Sequence, residues 1–120
     1  MNKPINFQSK LKLFSDYWSP KVIAEMNDYQ FKLVKIKDDF VWHNHQDTDE
    51  VFIVIEGFMT IDFIDRKINL KEGEMIVVKK GEDHKPHSKE ECKVLIIEPK
   101  GVVNTGNSKC NMTAENDMWI

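Results

Sequence analysis

From Lys21 to Glu98 the chain reads as a succession of short strand-forming runs divided by turn signals, with no helical stretch among them. Val22 to Met26 is the first run, and Asn27-Asp28 turns the chain into Tyr29 to Lys37. There Phe31, Leu33 and Lys35 alternate with Lys32, Val34 and Ile36. Asp38-Asp39 reads as a second turn, before a strand from Phe40 to His45. Glu50 to Glu56 is the longest apolar run, and its composition suits burial on both faces. Met59 to Ile64 alternates Met59, Ile61 and Phe63 with Thr60 and Asp62, and Asp65-Arg66 is the expected hairpin turn to Ile68 and Leu70. Lys71-Glu72-Gly73 turns again into Glu74 to Lys79. Beyond Gly81-Glu82-Asp83, one strand is expected at His84 to Ser88 and another at Cys92 to Glu98, where Pro99 stops the series. Many short strands without intervening helices imply an all-β sandwich or barrel.

The barrel pattern covers residues 21–98, flanked by an N-terminal arm (1–20) and a C-terminal tail (99–120). In the arm, Phe7, Leu11 and Phe14 share a helical face with Asn6 as N-cap, although Ile5 and Phe7, or Leu11 and Leu13, also suit a strand. A short helix is the favoured reading, broken by Trp18-Ser19-Pro20. The tail is polar and contains Gly101 and Gly106, so it reads as extended. Its apolar ending, Met118-Trp119-Ile120, suits docking on the domain or on a partner subunit; a free end is the alternative.

A length of 120 residues fits one domain with one proper core. The net charge of -3 provides no basic field for nucleic acid. No apolar run is long enough to cross a bilayer, and MNKPINFQSKLKLF lacks the features of a signal peptide. Cys92 and Cys110 do not make a disulfide framework, so a reduced cytoplasmic setting is expected. Asn111-Met112-Thr113 matches a glycosylation acceptor, a tripeptide that also arises by chance.

The chemistry is concentrated in His43 to Gly57, HNHQDTDEVFIVIEG. In a strand His43 and His45 point the same way, and two imidazoles on one pleat are half a metal site. Glu50 stands at a strand entrance, from which an antiparallel neighbour could carry it to the histidines.

The spacing of His43, His45, Glu50 and Gly57 resembles the first motif of the cupin superfamily. The second motif is matched by Gly73, Gly81 and His84, with Lys79 in place of a proline and Ser88 in place of an asparagine. Lys37 stands where the first motif opens with glycine. These departures fall on turn and framework positions; the ligand positions are all filled. The tail, Asn104-Thr105-Gly106-Asn107 and Trp119-Ile120, is similar to that of small single-domain cupins often labelled mannose-6-phosphate isomerase-like.

The resemblance implies a jelly-roll β-barrel in which His43, His45, Glu50 and His84 bind a divalent transition metal: iron, manganese, nickel, zinc or copper. It implies a metal-dependent enzyme of oxygenase, isomerase or decarboxylase type acting on a small polar metabolite. Glu50 would be a ligand, or a base if released. The alternative is a non-catalytic ligand-binding or sensory domain with the metal as anchor. Small cupins commonly dimerise, so a homodimer is expected.

Other residues carry plainer readings. His87 lies three positions from His84 and faces away, as a surface or interface histidine. Glu56 shares the parity of Glu50 but sits near a strand end, where solvation is expected, and Lys79 reads as a solvated head. Phe52 and Val54 are expected to line the pocket; Val51, Ile53 and Ile55 face a second sheet or another subunit, and Trp42 and Asn44 oppose the histidines. Cys92 reads as a buried small hydrophobe, or as a sulfur donor to the metal.

Overall fold

The structure, a computed structural model, describes residues 2–120. After helix α1 (Phe7–Leu11), seven strands follow: β1 (Lys21–Met26), β2 (Tyr29–Asp39), β3 (Glu50–Glu56), β4 (Phe58–Phe63), β5 (Lys67–Lys71), β6 (Met75–Val78) and β7 (His84–Pro99). All pairings are antiparallel, in the order β1-β2-β7-β3-β6, with β4 joining β5 to β7. Side chains from β2 to β7 meet in one cluster that includes Val34, Phe52, Met59, Leu70, Val78 and Val94. A single sheet whose strands all converge on one cluster must curl around it, which gives the expected all-β barrel. No helix among the described residues is long and apolar enough to cross a membrane.

β7 organises the barrel. Its first residues, His84 to His87, pair with β4, and its last half pairs with β2 and β3. The expectation of two separate strands here is corrected. Lys89, Glu90 and Glu91 look like a loop by composition but form the exposed bend of one continuous strand. Gly57 allows the close approach at that bend: its φ is 101°, and a Cβ would lie 3.0 Å from the Glu91 carbonyl. A second correction concerns Asp38-Asp39. These residues extend β2 through a bulge, with Asp38 at φ 64°, instead of turning the chain. The strand expected at Phe40 to His45 is irregular chain with one bridge, between His43 and His84.

α1 begins as the sequence suggests: the Ser9 amide donates to the Asn6 side chain at 2.9 Å. The helix buries Leu11 in a second cluster with Ile23, Leu33 and Leu95, against which Ile53, Ile55 and Ile120 pack. The outer face of β3 is thus covered largely by the chain's own arm and C-terminus.

Residues 99–120 form a series of turns more than an extended strand. Asn104 holds them: its side-chain amide donates to the carbonyls of Trp18 (2.8 Å) and Met112 (3.0 Å), and its oxygen accepts from the Ala114 amide (2.8 Å). At the end, the Val22 amide donates to Met118 O at 2.7 Å and the Ile120 amide to Val22 O at 3.1 Å. Removing Trp119 and Ile120 should therefore destabilise the domain by about 2 kcal/mol, from one apolar side chain and one backbone hydrogen bond. Urea denaturation measures this; an unchanged midpoint would mean that the docked end adds nothing.

Candidate metal centre

Two backbone hydrogen bonds set the site. His43 N donates to His84 O at 3.0 Å, and His84 N donates to His43 O at 2.9 Å. They lock the irregular segment before β3 to the start of β7 and bring the His43 and His84 rings to 4.3 Å between centroids. His45 is held two residues on, where the Gly81 amide donates to its carbonyl at 2.8 Å. Glu50 opens β3 with its side chain on the inner face, paired in register with Val78 of β6. β3 is the antiparallel neighbour of both β6 and the far half of β7, the strand that His84 opens, and it carries the carboxylate to the histidines.

His43, His45, Glu50 and His84 are all buried, and each offers one ligand atom within 4.8 Å of the others. Glu50 Oε1 lies 3.4 Å from His45 Nε2 and 3.5 Å from His84 Nε2. None of these three atoms has a hydrogen-bond partner. Buried polar atoms left unpaired are costly, and three aimed at one point fit a cation. Ligand atoms about 2.1 Å from an ion lie at most about 4.2 Å apart, so a small contraction would complete the set. The far nitrogens are already oriented: His43 Nδ1 meets Val41 O and His84 Nδ1 meets Glu82 O, each at 2.9 Å. Those contacts leave Nε2 of both rings for an ion.

The electrostatics agree with a neutral imidazole and an ionised carboxylate. Burial and the neighbouring His84 hold His43 down to about 4. Burial pushes the Glu50 carboxyl up, but the adjoining His45 and His84 outweigh it and keep the group below the usual range.

A second ionic feature lies behind Glu50. Lys32 Nζ donates to Glu98 Oε2 at 2.8 Å, and both side chains are buried. Glu98 also contacts Glu50; burial and the Glu50 charge raise its carboxyl well above the normal range, which Lys32 offsets only in part. Glu98 Oε1 is a further buried polar atom without a hydrogen-bond partner. Neither Lys32 nor Glu98 was singled out from sequence. The signal was strand parity: Lys32 shares the face of Val34 and Ile36, and Glu98 that of Val94 and Ile96.

Beside this set lies a cavity of about 30 Å³. Glu50, Glu98 and His43 form its polar end, and apolar side chains such as Val34, Phe52, Met59 and Ile96 form its walls. Trp18 and Asn104, from the arm and the tail, complete the lining. Trp18 stacks on Phe40 at 4.5 Å between centroids. Phe52 lines the cavity as expected, whereas Val54 is buried in the core cluster away from the wall.

The remaining sequence candidates lie apart from the four ligand residues. His87 bonds Asp62 at 2.9 Å on the outer face. Glu56 is exposed and pairs with Lys93 at 2.8 Å; the exposed Lys79 head lies 3.7 Å from Asp49. Cys92 is packed in the core and burial pushes its thiol up to about 12, the state of a small hydrophobe and not of a metal-binding thiolate. Trp42 is half exposed, and Asn44 is tied to Asp83 and Asn107.

The comparisons with known proteins converge. The family model described as "Cupin domain" matches residues 32–98. The chain is similar to a cupin-2 domain containing protein of known crystal structure from Shewanella frigidimarina: 64% identical, TM-score 0.79, over 80% of this chain and 94% of that one. It is similar to protein NMB1881 from Neisseria meningitidis, 36% identical with TM-score 0.75, over 82% of this chain and all (100%) of that one. Protein YdbB from Bacillus subtilis is 37% identical over 79 residues, 65% of this chain and 70% of its own length.

The buried neutral His43 has a consequence for the metal-free protein. Its folded value lies below the unfolded one, so the unfolded chain takes up a proton first as pH falls. The His43 contribution is present above pH 6.5 and is lost between 6.5 and about 4. Glu50 titrates in a lower window, starting near 4.5. Thermal unfolding of apoprotein should show a falling midpoint from pH 6.5 downward, with a shallower slope in His43→Gln. An identical slope in that variant would contradict the assignment.

Proposed function

The chain belongs to the cupin domain family, and on that footing we propose that it is a mononuclear metalloprotein acting on a small metabolite. His43, His45, Glu50 and His84 would hold one divalent transition metal: iron, manganese, nickel, copper or zinc. The observation that carries this reading is the convergence of three buried, unpartnered ligand atoms on one point beside a cavity. A divalent ion so bound would supply a Lewis-acid centre with about two positions open to oxygen donors.

The activity proposed is that of a metal-dependent oxygenase, isomerase or decarboxylase. This chain's own groups support such chemistry. His43 and His84 are fixed by their Nδ1 contacts, so the donor geometry is preorganised. Apolar walls exclude water from the reacting end. Lys32 anchors Glu98 beside Glu50, where burial and the Glu50 charge raise the Glu98 carboxyl above the normal range. Glu50 would serve as a ligand or, if released, as the base. A second reading, a ligand-binding or sensory protein without turnover, is favoured by the small size of the cavity, about 30 Å³. Oxygen uptake or product formation with the iron- or manganese-loaded protein separates the two.

The primary test is metal content. Untagged protein should carry about one transition metal per chain, and His45→Ala should lose most of it while keeping its β-sheet circular dichroism. His87→Ala should keep its metal. Full occupancy in His45→Ala would remove the ligand assignment. Saturating metal at about a hundredfold over Kd should stabilise the wild type by about 2.7 kcal/mol.

We further propose a homodimer. Tyr29, Val51, Val77 and Ile97 form the apolar half of a surface depression whose other half is Asp47, Thr48, Asp49 and Lys80, and Met75 is exposed on the same strand as Val77. An apolar patch rimmed by charged and polar side chains suits a second copy of the chain. Light scattering after size exclusion should give twice the chain mass, and Val77→Lys should shift it toward the monomer. A wild-type monomer across the micromolar range would exclude the dimer.

A further inference from the structure

We infer that the ligand of the cavity is a short-chain molecule whose polar atoms are confined to the end that meets the metal: a carboxylate, ketone or enol on a small alkyl body. Polyhydroxylated and phosphorylated metabolites are excluded. The inference rests on the metal reading above and names the substrate class of that site.

Its basis is the hydrogen-bonding capacity of the lining. Four lining residues carry polar groups of this kind: His43, Glu50, Glu98 and Asn104. The Asn104 side chain is spent on Trp18 O, Met112 O and the Ala114 amide. His43 Nδ1 is spent on Val41 O, leaving only the nitrogen of the ligand set. Glu98 Oε2 is taken by Lys32, and its unpartnered Oε1 lies at the polar end beside Glu50. Glu50 itself faces the other ligands. The Trp18 indole N–H, a fifth donor on the lining, is turned away to Lys37 O at 3.0 Å. Beyond Glu50 and the unpartnered Glu98 Oε1, which sit together at the polar end, the polar side chains on the wall are committed, and the free valence lies at the metal face.

What remains is apolar: Val34, Ile36, Phe52, Met59, Val94 and Ile96. A hydroxyl placed against these side chains would lose its water partners without gaining others, at a cost of about tenfold or more in affinity for each group. A phosphate would need a free cation, but the buried Lys32 ammonium beside this chamber is already paired with Glu98 at 2.8 Å. The volume of about 30 Å³ sets the scale, since one water needs roughly 10–15 Å³ measured this way. A small alkyl group fits that space better than a sugar ring.

The test uses two carboxylates with the same number of heavy atoms, isovalerate and glycerate, added to cobalt(II)-loaded protein. Both can offer the same metal-binding group, and they differ in whether the rest is alkyl or hydroxylated. Isovalerate should perturb the visible cobalt bands at a concentration at least tenfold lower than glycerate. In zinc-loaded protein it should also shift the Met59 methyl resonance. Equal or tighter binding of glycerate overturns the inference and leaves the metal assignment standing. So does the absence of any perturbation by either acid in protein shown to contain cobalt. Failure to take up cobalt at all removes the metal reading and this inference with it.

Discussion

The reciprocal hydrogen bonds between His43 and His84 are the contact on which the site depends. They join an irregular segment to the first residue of a sixteen-residue strand, and each bonded residue is itself a potential ligand. A site assembled from loops would need separate means to fix each ring. Here one bridge fixes two backbones at once, and the carbonyls of Val41 and Glu82, each two residues before the histidine it contacts, set the ring orientations. Because β7 also pairs with β2, β3 and β4, an error in its register would displace His84 and disturb the core together. Fold and site share the same constraint.

The buried Lys32–Glu98 pair deserves a physical reason, because stability alone does not provide one. Removing two charges from water costs several kcal/mol per ion, roughly what their attraction returns. A pair of apolar residues would serve the barrel equally well. What the pair does is place the Glu98 carboxyl, raised by burial and by the Glu50 charge, against Glu50, in an interior that otherwise offers Glu50 only the histidines. An isolated carboxylate in such a place would be driven to protonate; the adjoining His45 and His84 hold Glu50 below the usual range instead. The ionic layer is best understood as support for the anionic ligand.

The strand pattern and the four residues that converge at the candidate site were legible in the sequence because both follow from residue spacing. Alternation identifies inward positions such as Met59 and Ile61, and the motif spacing identifies His43, His45, Glu50 and His84. What failed depended on distant partners. Lys89-Glu90-Glu91 has the composition of a loop, and only pairing to strands on both sides keeps it in β7. Asp38-Asp39 has the composition of a turn, yet a bulge carries β2 past it to reach Ser88 and His87. Lys32 and Glu98 each looked like an ordinary strand charge. They become a buried pair only when Gln30 and Glu98 fall opposite each other in the register of β2 and β7, which local sequence does not encode.

The arm and the tail matter for the same reason. The family pattern ends at Glu98 and contains every ligand residue, but it does not close the cavity. Trp18 and Pro20 do so from one side and Asn104 from the other, and Asn104 holds Trp18 by its carbonyl. The same tail segment grips the ligand loop: Asn107 N donates to Asn44 O, and Asn107 Oδ1 accepts from Asn44 N. Gly106 permits that approach, since any Cβ there would collide with the Asn44 carbonyl. The four residues of the candidate metal centre and those that shape the chamber beside it therefore come from different parts of the chain. Two proteins with the same four ligands can differ in ligand through the arm and tail alone, so the motif identifies the centre while the flanks determine what reaches it.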